Sequence, residues 1–186
     1  MKTIFTLALI LVGSLAFPQS SPAETFWKEL QTHCGKSYEG KVLNAPENDQ
    51  FRQHRLLMHV RTCDDKEIRI PFFVGEDRSR TWVLKWIDGK IELKHDHRLE
   101  DGSDDEVTMY GGTASNTGLA NIQVFPADPF TAELLPAAAT NVWWITLDDQ
   151  VFTYNLKRIG TDRIFTVEFD LNKVVDTPEA PWGWED

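Results

Sequence analysis

The chain is short of the residues and motifs that name most enzymes. Only two cysteines, Cys34 and Cys63, occur in 186 residues. Neither has a second cysteine at short spacing, which argues against a zinc-ribbon type of site. No histidine follows His97, so a metal centre on His95 and His97 could draw no further imidazole from beyond them. There is no GxSxG elbow, no HExxH helix and no phosphate-cradling glycine loop. Basic residues are also scarce: 19 against 29 acidic ones, a formal net charge of −10. Such a surface repels nucleic acid and anionic lipid, because phosphate contacts need a basic patch.

Long apolar runs are missing as well. The one that exists, Ile4 to Val12, is too short to span a bilayer. It follows Met1-Lys2-Thr3 and precedes Gly13-Ser14-Leu15-Ala16, the three regions of a secretory signal peptide. Residues 1–16 are read as that signal, with an alternative end at Ala23, and the expected location is secreted or periplasmic. In an oxidising compartment Cys34 and Cys63 pair as one disulfide, stabilising the fold by about 3–4 kcal/mol in the chain-entropy model. The remainder, about 165 residues, is one domain's worth of chain with a single core.

What is present is period two. Ser21-Pro22-Ala23-Glu24 opens a short helix with a capping box, and the helix should stop near Gly35. Alternation then carries on: Tyr38, Gly40 and Val42 in a first strand, then His54, Leu56, Met58 and Val60 facing inward in a second. Ile68, Ile70, Phe72 and Val74 face inward in a third, after a three-residue loop, Asp64-Asp65-Lys66. His59 is expected outward with Arg55 and Arg61. Strands are expected over Glu106 to Tyr110 and Leu119 to Phe125, flanking a flexible GGTASNTG stretch, and a helical turn begins at Asp128-Pro129. Val142 to Leu147, Val151 to Lys157 and Arg163 to Leu171 complete the set. No long helix separates strands, which excludes parallel α/β folds. The expected fold is all-β, a single antiparallel barrel of about ten strands with a short N-terminal helix. The domain spans 17–171, and 172–186 form an irregular tail holding Trp182 and Trp184. A closed barrel is favoured because it removes exposed sheet edges.

Arg80 to Arg98 can be read pair by pair. Asp88-Gly89 is the preferred two-residue type I′ turn, which sets Ile87 opposite Lys90 and fixes every pair beyond. One face then carries Lys85 opposite Glu92, Val83 opposite Lys94 and Thr81 opposite Asp96. The other carries Trp86 opposite Ile91, Leu84 opposite Leu93, Trp82 opposite His95 and Arg80 opposite His97. An apolar row therefore ends in two imidazoles and a guanidinium.

A short helix with Trp27, a first strand marked by Tyr38-Glu39-Gly40 and a meander of some ten strands resemble the layout of the calycin group, which includes lipocalins and fatty-acid-binding proteins. That resemblance implies a small apolar ligand in the barrel interior. The run Gly89, five residues, His95-x-His97, with Asp101 where a glutamate would stand, is similar to the first half of the cupin motif, which would imply a divalent metal on His95 and His97. His54, Glu100 and Asp101 are the further donors considered.

Three functions follow from these residues. The leading one is an exported barrel that binds a small apolar or amphipathic molecule, lined by Arg80, Trp82, Leu84, Trp86, Leu93, His95, His97 and His54, with the arginine and histidines as its polar end. The second is a metal-dependent or acid–base enzyme using His95 and His97. The third is a structural or interaction module whose tail, with Trp182 and Trp184, docks a partner.

Overall fold

The computed structural model describes residues 20–185. The signal segment, residues 1–16, lies outside the described residues. Helix α1 (Pro22–Gln31) starts where the Ser21 hydroxyl accepts the Glu24 N–H at 3.1 Å. The capping box is only half made, because the Glu24 carboxylate pairs with Lys28 at 2.6 Å. Ala23, Phe26, Trp27 and Leu30 are buried, so the helix lays its apolar stripe into the barrel core.

Eleven strands follow: β1 (Ser37–Asn44), β2 (Leu56–His59), β3 (Thr62–Cys63), β4 (Glu67–Val74), β5 (Asp77–Ile87) and β6 (Lys90–His97). After these come β7 (Tyr110–Thr113), β8 (Ile122–Pro126), β9 (Asn141–Leu147), β10 (Val151–Arg158) and β11 (Ile164–Val175). All pair antiparallel in the order β7-β6-β5-β4-β2-β1-β11-β10-β9-β8, with β3 as a side branch on β4. The ring is nearly closed: β7 meets the chain just after β8 through the Asp128 N–H on the Gly111 carbonyl at 3.0 Å, not through a ladder. The fold class read from the period-two pattern is the observed one.

The central hairpin has the expected register in all eight pairs, Arg80 with His97 through Ile87 with Lys90. Asp88 and Gly89 both take positive φ, 48° and 76°, as a type I′ turn requires. Cys34 and Cys63 form the disulfide, tying the turn after α1 to β3.

Three expectations are corrected. The turn before β4 is tighter than a three-residue loop: the Asp64 N–H bonds the Glu67 carbonyl at 2.9 Å, and the Asp64 carboxylate accepts from Lys66 and Glu67. Met58 still faces Phe72, because the extra residue is absorbed at Val60–Arg61, between β2 and β3. The GGTASNTG stretch is not a loop throughout; its first residues are the closing strand. A Cβ on Gly112 would stand 1.8 Å from the Pro126 carbonyl oxygen, and one on Gly111 would stand 1.9 Å from that of Leu93. These glycines are where the barrel wall closes, too tight for any side chain. Third, His59 lies on the outer side yet is buried, its Nδ1 2.9 Å from the Ser37 hydroxyl.

The two ends of the barrel differ. Trp27 of α1 meets Trp86 edge-on, with ring centroids 5.7 Å apart, at the end where β5 finishes. Arg80 lies at the start of β5, about 20 Å away along the strand at the usual rise per residue. The helix thus plugs one end, and the other end is the mouth. The tail lies on the barrel's own outer surface: the Trp182 N–H bonds the Arg78 carbonyl at 3.2 Å, and Arg69 sits 4.5 Å over the Trp184 ring.

Candidate functional site

Between plug and mouth the interior is solid. Met58, Ile70, Leu84, Leu93, Phe152 and Phe169 are fully buried in one hydrophobic core. At the mouth the packing opens into a cavity of about 190 Å³. Its walls come from seven strands and the adjoining loops, because each strand that reaches the mouth ends an inward-facing row there.

Trp82 forms the centre of the wall. Its ring stacks on Phe72 at 4.8 Å and 14° and on Tyr154 at 4.4 Å and 17°. Phe51 and Phe165, 5.0 Å apart, close one side, and Trp143 stands 5.1 Å from the His95 ring on the other. The polar end holds His95, His97, Tyr110, Asn141 and three arginines, Arg80, Arg158 and Arg163.

His95 is fully engaged. Its Nδ1 lies 2.9 Å from the Tyr110 carbonyl, so Nδ1 carries the proton, and Nε2 accepts from the Tyr154 hydroxyl at 2.7 Å. Burial drives the His95 pKa down to about 3, so the ring is neutral at pH 7. His97 is lowered too, by burial first and the nearby Arg80 charge second, and its Nε2 lies 3.2 Å from the Tyr110 hydroxyl. Burial pushes Tyr110 up to about 12 and Tyr154 well above its ordinary value, so both stay protonated. The histidines and tyrosines therefore add hydrogen-bonding groups and no charge.

The charge at the mouth is carried by arginine. Arg80 is paired with Asp77 and lies 5.6 Å from the Phe51 ring. Arg158 donates its Nε–H to Asn141 Oδ1 at 3.0 Å. Arg163 is exposed and has no side-chain partner among the described residues. Among the described residues no aspartate or glutamate lines the cavity.

Of the residues singled out in the sequence, Arg80, Trp82, His95 and His97 converge on this cavity, and four do not. Leu84 and Leu93 are completely buried in the solid core below it. Trp86 is at the plugged end against Trp27. The inward row of β5 runs the whole height of the barrel, and only its first members reach the mouth. His54 is exposed, because Asp49 caps a 3-10 turn over Gln50–Gln53, accepting the Phe51 N–H at 3.0 Å. That turn sends Phe51 into the cavity in place of the histidine.

The donor set for a divalent metal is not assembled. No group of three histidine, cysteine, aspartate or glutamate side chains converges among the described residues. Both His95 nitrogens are already in hydrogen bonds, and Asp101 sits in an exposed loop, accepting from the N–H and hydroxyl of Ser103. The cupin-like spacing does not produce a cupin-like cluster.

Phe51, Tyr110, Tyr154, Arg158 and Arg163 were not anticipated. Two of them had a legible signal: Phe152, Tyr154, Leu156 and Arg158 alternate in β10 as Trp82 and Arg80 do in β5. No protein-family model, curated protein or solved structure matches the chain. The geometry of the mouth is therefore what any functional reading rests on.

Proposed function

We propose that this protein is an exported barrel that binds a small, partly apolar molecule in the mouth cavity. The observation that carries the reading is the contrast within one barrel: a buried apolar core that opens at the mouth into a walled space with convergent polar groups. Ligand sites have this composition, apolar walls with a few placed donors that fix orientation. The nearly closed antiparallel barrel is compatible with a calycin-like layout, in which such a site is expected. The N-terminal signal-like segment and the Cys34–Cys63 disulfide are what support export.

Trp82, Tyr154 and Trp143 would hold the body of the molecule, and Arg80, His95 and His97 would orient it. Titration with short fatty acids, aromatic acids and aromatic alcohols, followed by tryptophan fluorescence, tests this. Saturable quenching, weakened in His95→Ala and abolished in Leu135→Trp, which fills the mouth, is the expected result. No response across the screen would contradict it.

A further inference from the structure

Arg80 has a carboxylate partner in Asp77, but Arg158 contacts a neutral amide and Arg163 has no side-chain partner among the described residues. All three line one cavity that none of the described acidic residues lines, in a chain with ten more acidic than basic side chains. Several other partly buried cations are matched by carboxylates: Lys94 with Asp128, Arg69 with Glu67 and Asp96, Arg98 with Asp96 and Asp104.

The position of the arginines repeats. Arg80 stands two residues from Trp82, Arg158 two from Leu156, and Arg163 two from Phe165. On β5, on β10 and at the residue just before β11, the same step toward the mouth replaces an apolar side chain with a guanidinium. The resulting site is an apolar well with a cationic rim.

Resting on the binding function proposed above, we infer that the ligand is a small organic monoanion, a carboxylate on an apolar or aromatic body, and that Arg158 and Arg163 hold the carboxylate. Guanidinium forks match a carboxylate in two parallel hydrogen bonds, which a hydroxyl or amide cannot accept with the same strength. The Phe51 ring beside Arg80 keeps that guanidinium at the rim. The well is sized for one ring and a short arm: a cavity of about 150 Å³ takes up benzene, and this one measures about 190 Å³. Neutral His95 and His97 add no charge to the wall of the well, which suits an uncharged body on the carboxylate.

Calorimetric titration of the full chain with benzoate, phenylacetate, their neutral amides, benzyl alcohol and benzylammonium tests the inference. The carboxylates should bind about tenfold or more tighter than the amides of the same shape, as charge-assisted hydrogen bonds imply. Benzylammonium should not bind. Added sodium chloride should weaken the carboxylates and leave the amides unchanged. Arg163→Gln, at an exposed position that leaves folding intact, and Arg158→Gln should bring the carboxylates down to the amide level while amide affinity stays the same. Amides and carboxylates binding equally, or both falling together in the arginine variants, would overturn the anion inference and leave the binding site standing. Binding of neither class would overturn both.

Discussion

Tyr154 and His95, 59 residues apart, meet inside the barrel with the tyrosine hydroxyl on the imidazole Nε2 at 2.7 Å. The bond joins β10 to β6 across the mouth, two strands that are not neighbours in the sheet. It also saturates His95, whose other nitrogen is held by the Tyr110 carbonyl. The bond is buried, so removing either partner leaves a polar atom without one. Tyr154→Phe keeps the stack on Trp82 but orphans His95 Nε2. Urea unfolding should show a loss of about 1–3 kcal/mol. No change in midpoint would mean that the bond adds nothing to stability.

The same histidine makes stability depend on pH in a defined direction. Burial holds the folded His95 pKa near 3, below the ordinary value of 6.5. Below about pH 6.5 the unfolded chain takes up a proton there and the folded chain does not, so the unfolded state gains. The contribution is complete above about pH 6.5 and is lost as pH falls toward 3. Unfolding free energies at a series of pH values should fall by an extra amount of about 2–3 kcal/mol between pH 6.5 and 4.5 in the parent relative to His95→Gln. Parallel curves would place the proton uptake elsewhere.

Barrel closure depends on glycine at 112. A methyl group there would stand 1.8 Å from the Pro126 carbonyl oxygen, a backbone atom that cannot swing aside. Gly112→Ala should cost more than the usual 1–3 kcal/mol of overpacking, or prevent folding. Chemical denaturation read by circular dichroism measures it, and a variant as stable as the parent would mean that β7 and β8 have room to separate.

The disulfide clips the plug to the wall. Replacing Cys34 and Cys63 with serine should lower stability by about 3–4 kcal/mol if loop entropy dominates. The comparison is the unfolding midpoint of the double variant against the oxidised parent. The plug also relies on Trp27 and Trp86 at 5.7 Å, which packing holds in the reduced chain.

Where the backbone turn is dictated by residue type, the fold could be read directly. Asp88-Gly89 admits essentially one hairpin, and that hairpin puts Arg80, Trp82, His95 and His97 on one face. What could not be read was height. Alternation tells which face a side chain takes, but not whether it ends in the solid core, at the plug or in the cavity, so Leu84, Leu93 and Trp86 were grouped with Trp82. The glycine pair at 111–112 looked like flexibility because the pattern within one strand does not reveal how closely the two closing strands approach. Phe51 was hidden by a short 3-10 turn that period-two reasoning cannot see. Arg158 and Arg163 were visible as the ends of alternating rows, yet an arginine at a strand end is ordinary until three of them share one rim.

The account stands or falls on the mouth cavity being the place where a ligand sits. Spectra of the protein with nitrogen-15 in its indole groups, assigned by single Trp→Phe variants and titrated with benzoate and benzamide, test that most directly. The Trp82 and Trp143 signals should shift and saturate together, while Trp27 and Trp86 at the plugged end and Trp184 on the outer face stay where they are. Shifts confined to Trp27 and Trp86, or none at any indole under saturating benzoate and benzamide, would contradict it.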